Sequence, residues 1–376
     1  MGRTNQLSKP RARELGVPFE GQPGPFNAIT DVPGVLVGHT TLIRGAGAQV
    51  VGQGPVRTGV TAILPHADIT HQPVLASYFS FNGCGEMIGT IYLEETGLLG
   101  SPIMLTNTNS VGTVRDAVIA WGGSTLPVVA ETWDGQLNDI YGFHVQQEHV
   151  FAALEGAASG PVAEGNVGGG TGMTAYDFKA GIGTASRLVT IGEERYVLGV
   201  LVQANHGERA QLVVAGAPVG HEISDHMPVI HQRNHWERQG SIIIVLGTDA
   251  PLLPTQLKAV AKRAALGLAR SGSIGGYSSG DIFIAFSTAP LKRERPGYLQ
   301  LSMLEYKHIN PIFAAAVQAT DEAIINALVA AETMRGINDN TFYALPHARL
   351  RQVLRKYRRL VTPGRAARPP TKAQWE

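Results

Sequence analysis

One cysteine, Cys84, is all that the 376 residues contain, so an internal disulfide is excluded. Charge is also scarce. Only 16% of residues are charged and the formal net charge is +1, which argues against a nucleic-acid-binding protein. No run of 18 or more apolar residues occurs, and the opening MGRTNQLSKPRARELG has no apolar stretch of the signal-peptide kind. The expectation is a cytoplasmic protein without membrane partners. The phosphate-cradling pattern GxxxxGK[ST] is missing, as are HExxH, CxxC and an acidic calcium loop. His221 and His226 stand five apart in a polar stretch and read as surface histidines rather than zinc ligands. No metal and no cofactor are expected.

Glycine, by contrast, is plentiful at 45 residues, and 44% of the chain is hydrophobic, ample for a substantial core. The glycines cluster, which suggests tight turns lining a site. Residues 1–25 are polar and read as an arm. Short apolar segments then alternate with turns at 35–37, 60–64, 102–105 and 126–129, spaced as strands, with helix candidates at 113–120 and 147–154. Residues 197–204 (VLGVLVQA) predict a strand buried on both faces. The polar stretch 221–240 reads as a linker or exposed loop. After it the β-branched run 241–248 (SIIIVLGT) predicts another buried strand, and 252–270 a helix with Thr255 as candidate N-cap. A Gly/Ser loop (271–280), a buried strand (281–288) and an Ala-rich helix (319–334) follow. The basic tail from His347 reads as a solvated helix with a frayed Pro-rich end. No internal repeat is present. This mixture predicts one layered α/β domain with helices outside two packed sheets.

Three features invite chemistry. Gly168-Gly169-Gly170-Thr171-Gly172 could cradle an anion with backbone N–H groups, or form a tight turn beside a substrate. Gly276–Gly280 fits GxSxG, but a nucleophile elbow needs a strand before and a helix after Ser278, and here the order is reversed. Third, the chain passes from polar linker to buried strand across the single bond Gly240–Ser241. Glycine leaves that carbonyl open to approach. A serine hydroxyl there can attack the preceding carbonyl and shift the acyl group from nitrogen to oxygen, leaving an ester for water. An α-amine ordinarily titrates at about 7.7–8.0, so the one freed by cleavage could then act as general base for its own hydroxyl. An ordinary Gly-Ser turn entering a strand fits the same residues and is commoner.

Seven segments bear on that choice: RTGVTAILP (57–65), FNGCGEMIGT (81–90), AETWDGQLNDI (130–140), EGNVGGGTGM (164–173), LVQANHG (201–207), GSIIIVLGTDAPL (240–252) and SSGDIFIAFSTA (278–289). With them the chain resembles the L-aminopeptidase/D-esterase-amidase and β-peptidyl aminopeptidase family of self-processing N-terminal serine hydrolases. The resemblance implies a four-layer αββα sandwich, like the N-terminal-nucleophile hydrolases but of distinct topology. It implies cleavage between Gly240 and Ser241 into fragments 1–240 and 241–376, held in one folded unit, and a homo-oligomer of such units. Ser241 matches the nucleophile, Ser279 and Asp281 the pair that orients and activates it, and Asn205 the oxyanion donor. Some β-aminopeptidases have glutamate where Asp281 stands. Trp133 departs from a family tyrosine, so a hydroxyl is missing from the substrate-binding wall. Asn205 could instead cap a turn after its strand, a reading the surrounding match disfavours, and Asp281 could bond the Gly/Ser loop, which is compatible with its role in the site.

The implied activity is removal of N-terminal residues from short peptides, amides or esters. Substrates could be L-amino acid, D-amino acid or β-amino acid derivatives, with Glu131 and Asp134 candidate partners for the substrate amine. One alternative is an acyltransferase of the ornithine acetyltransferase type on the same architecture, although those use threonine as nucleophile. The other is an uncleaved, non-catalytic binding protein.

Overall fold

A computed structural model describes residues 9–123, 126–231 and 240–362. Parts of the arm, of the 221–240 linker and of the C-terminal tail lie outside the described residues. The strands are β1 (Leu36–Arg44), β2 (Val56–Leu64), β3 (Val74–Gly83), β4 (Met87–Ile88), β5 (Leu98–Leu99), β6 (Ile103–Asn107), β7 (Val128–Thr132), β8 (Ile182–Ile191), β9 (Glu194–Asn205), β10 (Ser241–Thr248) and β11 (Gly280–Ser287), with an outlying hairpin β12 (Lys292–Arg295) and β13 (Tyr298–Gln300). The principal helices are α1 (Thr90–Thr96), α2 (Val111–Ala120), α3 (Gln147–Glu155), α4 (Pro254–Arg270), α5 (Asn310–Val329) and α6 (His347–Lys356).

Two large sheets form, ordered β1-β2-β6-β7-β4 and β8-β9-β10-β11-β3-β5, beside three two-stranded ribbons among the described residues, of which β12–β13 is one. Each large sheet is antiparallel except at one central pair, β6 with β7 and β10 with β11. Alternation along the strands sorts side chains into layers. Ile63, Ile103 and Leu105 of the first sheet meet Leu201, Ile243, Val245 and Ile284 of the second in a core between the sheets. Ile242, Ile244, Phe283 and Ala285 face outward, against α4 and α5. Val60, Met104 and Val129 pack under α2 and α3. The result is the expected αββα order. β10 is buried along its whole length, as a β-branched run buried on both faces should be. Helix α5 is long and apolar enough to cross a membrane by composition, yet most of it is buried against the second sheet. Its close seat needs Gly183, where a Cβ would fall 2.0 Å from the Ala323 carbonyl oxygen.

The structure corrects several sequence expectations. Residues 9–24 are no loose arm: Ala12, Leu15, Val17 and Phe19 are buried in the outer core. Helix α4 is not capped by Thr255. Pro254 takes the first turn, and the Leu253 N–H is satisfied by the Gln256 side chain at 3.0 Å. Helix α5 starts nine residues before the expected point, with Pro311 in its first turn. Helix α6 is half-buried through Leu350, Val353 and Leu354 rather than solvated all round.

Candidate active site

Three adjacent strands of the second sheet end at one place. Ser241 opens β10, paired with Asn205 at the end of β9 on one side and Gly280 at the start of β11 on the other. The Ile242–Leu246 run fixes the register behind it. Shifting the strand by one residue would turn every core side chain to the wrong face. Asn205, Ser279, Asp281 and Ser241 are thereby brought together, all buried.

Each is held by specific partners. The Gly280 N–H donates to the Gly240 carbonyl at 3.1 Å and toward Ser241 Oγ at 3.3 Å. Ser279 Oγ donates to Asp281 Oδ1 at 2.6 Å. Burial pushes the Asp281 carboxyl up to about 6, against the opposing pull of the Ser279 hydroxyl and the Ile242 N–H. Its Oδ2 has no partner. The Asn205 amide accepts the Thr174 N–H at 2.9 Å and donates from Nδ2 to the Trp133 carbonyl at 3.0 Å. One Nδ2 hydrogen is therefore spent on orientation, and the second remains for a ligand.

The cleft in front of these residues encloses about 760 Å³. Trp133, Gly172, Thr174, Asn205, Gly240 and Ser279 line its inner part, with Met227, Ile230 and Phe342 supplying apolar wall. Ser241 itself is not among the lining residues. Gly240, the residue before it, does line the cleft, and Ser241 is 2% exposed. The Trp133 indole lies against Gly135, where an added Cβ would clash with its Cζ2 and Cε2.

The two acidic candidates separate. The Glu131 carboxylate lies against Gly85, which in turn touches Gly280 beside Ser241. It accepts the Glu86 N–H at 2.9 Å and the Thr108 hydroxyl, and burial raises its pKa. Asp134 is still more enclosed, bonded to Asn138 Nδ2 at 3.0 Å and raised to about 7 by burial, and neither carboxylate is among the residues lining the cleft. The Gly168–Gly172 stretch is no anion cradle. Gly168 and Gly169 spend their N–H groups on the Thr41 and Thr61 hydroxyls, and Gly170 and Thr171 on carbonyls within the turn. Ser278 sits before a strand, the reverse of an elbow.

Sequence reasoning overlooked three participants: the Gly280 N–H, the Thr174 N–H and His206. The histidine lines the cleft, is 2% exposed, and neither ring nitrogen has a partner. Burial lowers its pKa to about 3, so the ring is neutral. The signal was its place in LVQANHG, directly after Asn205.

The profile of peptidase family S58 matches residues 27–342. Over 369 residues the chain is 53% identical to beta-peptidyl aminopeptidase BapA of Sphingosinicella microcystinivorans, 93% of each chain being covered. It is 47% identical over 372 residues to beta-peptidyl aminopeptidase BapA of Sphingosinicella xenopeptidilytica, covering 94% of this chain and 92% of that one. Among solved structures it matches the L-aminopeptidase D-Ala-esterase/amidase of Ochrobactrum anthropi, described as a prototype for the serine aminopeptidases and a variant of the Ntn hydrolase fold. The TM-score there is 0.87 at 46% identity, over 94% of this chain and all of that one (100%). A Burkholderia sp. beta-aminopeptidase matches with TM-score 0.83 at 44% identity, over 92% of this chain and 99% of that one. The chain belongs to peptidase family S58, and it is a serine aminopeptidase rather than an acyltransferase.

Proposed function

We propose that the chain cuts itself between Gly240 and Ser241 and then uses the freed Ser241 to remove N-terminal β-amino acid residues from short peptides and amides. One observation carries this reading: in the intact chain Gly240, not Ser241, faces the cleft. A buried nucleophile whose preceding residue lines the cleft becomes accessible once that bond is broken. The β-amino acid preference rests on the two β-peptidyl aminopeptidase relatives.

In self-cleavage Ser241 Oγ bonds to the Gly240 carbonyl carbon, the C–N bond breaks, and the hydroxyl proton ends on the departing nitrogen. Water then hydrolyses the ester, giving the Gly240 carboxylate and restoring the hydroxyl. In turnover the same Oγ attacks the substrate carbonyl while the Ser241 α-amine takes its proton and passes it to the leaving amine. The remaining Asn205 N–H and the Gly280 N–H meet the developing oxyanion. Ser279, anchored by Asp281, orients the α-amine. Glu131 is the candidate partner of the substrate ammonium, whose approach would favour its ionised form.

We further propose a homo-oligomer. The hairpin β12–β13 and the segment after it expose Tyr298, Leu299, Leu301 and Met303, and a two-stranded hairpin is marginal without something to pack on.

Denaturing electrophoresis tests self-cleavage. Two bands are expected in place of one at 40.0 kDa, collapsing to one in Ser241→Ala. A single band for the wild type, unchanged by that substitution, would sink the proposal. Release of p-nitroaniline from β-alanyl, L-alanyl and D-alanyl p-nitroanilides tests the substrate class. β-Alanyl is expected to lead, and equal rates for all three would remove the assigned preference.

A further inference from the structure

The Asn205 amide is held at both ends, and one of its holders is itself held by a buried lysine. Asn205 Oδ1 accepts the Thr174 N–H at 2.9 Å, and Nδ2 donates to the Trp133 carbonyl at 3.0 Å. The Thr174 N–H and the Met173 carbonyl belong to one planar peptide unit. Lys179 Nζ donates to that carbonyl at 2.6 Å. A continuous chain therefore runs from the lysine through the Met173–Thr174 peptide to the Asn205 carboxamide.

Local sequence makes this chain. Thr174–Ala175 and Phe178–Lys179 form a two-stranded ribbon with Thr174 opposite Lys179. The two residues between them, Tyr176 and Asp177, have positive φ, 53° and 57°, as a tight hairpin turn requires. The turn fixes the register, and the lysine reaches back to the carbonyls that precede Thr174. Besides Met173, Nζ donates to the Ala180 carbonyl at 2.6 Å and, at 3.4 Å, to that of Gly170.

Lys179 is fully buried, and among the described residues its hydrogen-bond partners are all main-chain carbonyls. Burial pulls its pKa well below the ordinary lysine value, with Asp134 opposing. Three acceptors around one nitrogen suit the ammonium, which has three N–H groups, over the neutral amine. Burying such a group without a bonded carboxylate is unfavourable, and methionine or leucine would fill the space more readily. Holding the peptide in place does not require it either, since the Ala180 N–H also donates to the Met173 carbonyl, at 3.1 Å. What the lysine adds is polarisation. A cation on the carbonyl oxygen makes the Thr174 N–H a stronger donor. That bond draws charge from the Asn205 carboxamide, whose remaining Nδ2 hydrogen becomes a stronger donor in turn.

We propose that Lys179 is a positioning residue of the oxyanion hole: its Nζ polarises the Met173–Thr174 peptide, which aims and strengthens the Asn205 N–H that meets the oxyanion. The proposal rests on the reading of Asn205 as an oxyanion donor. Removing a direct donor of this kind lowers kcat by about 10²–10³, and a group acting two hydrogen bonds behind it is worth about tenfold.

A double-mutant cycle in the full-length chain tests it. Values of kcat and KM for β-alanyl p-nitroanilide are taken per processed molecule, the processed share being read from a denaturing gel. Lys179→Met should lower kcat about tenfold and leave KM within about twofold. Asn205→Ala should lower kcat about a hundredfold. Adding Lys179→Met to it should reduce kcat by at most about a further twofold, because the lysine then has nothing to act through. A full further loss of about tenfold in the double variant would make Lys179 a structural residue and overturn the proposal. A Lys179→Met enzyme with the wild-type kcat would overturn it as well. Lys179→Gln, which keeps an N–H donor without the charge, should fall between the two and carries the same comparison if the methionine variant does not fold. Asn205→Ala with a kcat near that of the wild type would overturn the oxyanion reading itself, which separates that failure from a failure at Lys179.

Discussion

Two buried polar clusters in this molecule are built from similar groups and left in different states. Under α5, Glu322 receives Arg13 through Nε and Nη2, both at 2.7 Å, Arg187 at 2.7 Å and Asn27 at 2.6 Å. Beside it Glu164 accepts Arg11 at 2.7 and 3.1 Å and the Thr184 N–H at 2.8 Å. Every carboxylate oxygen of that cluster is used. At the strand ends, Asp281 keeps one bare oxygen and His206 two bare nitrogens. A buried polar atom without a partner is expensive, about 1–3 kcal/mol. The closed cluster fastens the N-terminal segment to the core. The open one leaves its unpaired atoms at and just behind the cleft, where His206 is a lining residue, although buried atoms without a partner also occur elsewhere, at His39, Asp134, Gln203 and Thr320.

Ser241→Ala should give the sharpest separation of the two. Removing one hydroxyl from a strand end leaves the closed cluster and all three cores intact. Unfolding free energy should stay within about 1 kcal/mol of that of the uncut chain, while turnover drops by about 10⁴-fold or more. Substantial residual hydrolysis would mean that another nucleophile acts.

Glu322→Ala is the opposite case. Burial would raise the Glu322 carboxyl, but Arg187 and Arg13 hold it below the usual range, so the group is ionised and paired. Deleting it leaves the buried Arg187 guanidinium without its carboxylate and removes the partner of the partly exposed Arg13. A loss of about 3–5 kcal/mol in urea unfolding is expected, with kcat of the surviving folded enzyme little changed. A loss under about 1 kcal/mol would show that the cluster is not the fastening described.

For Asp281→Asn the sign reverses. The Asp281 carboxyl is raised from 3.8 to about 6, so the folded state holds that proton more tightly than the unfolded chain does. The group's relative stabilisation is present below pH 4 and is lost as pH rises through about 6. Asparagine cannot ionise. The variant should match the wild type at pH 4 and exceed it above pH 6 by up to about 3 kcal/mol. Its activity should nevertheless fall by about a hundredfold. In the wild type, activity should climb as pH passes about 6, and that limb should vanish in the variant. A variant that is less stable at pH 8 would place Asp281 with the structural carboxylates.

The same contrast explains what could be read from the amino acids. β10 and β11 were legible because runs of Ile, Val and Phe admit few other environments. Ser241, Asn205, Ser279 and Asp281, which the fold brings together, could be picked out because each lies in one of the segments that carry the resemblance. The ordered N-terminal segment could not, because its anchors are far apart in the chain: Arg11 and Glu164 are separated by 153 residues. The Gly168–Gly172 turn was visible, but which groups its N–H bonds reach depends on β1 and β2 packing beneath it. His206 stood inside a recognised segment, yet only the fold shows that its ring is buried without partners. The start of α5 had a signal in Pro311, which the apolar spacing from Ala319 onward overshadowed.

The smallest expected effect isolates burial from charge. Lys258 and Glu94 form an ion pair at 2.7 Å, as short as the Arg13–Glu322 contact, but their side chains are 37% and 49% exposed. Water screens the attraction and solvates either partner when the other is removed, so nothing is left stranded. Lys258→Ala should shift stability by no more than about 0.5 kcal/mol, and raising the salt concentration should shrink even that. If its effect approached that of Glu322→Ala, ion-pair distance alone would govern stability here. The closed cluster would then owe its strength to charge, and the contrast with the open site would lose its physical basis.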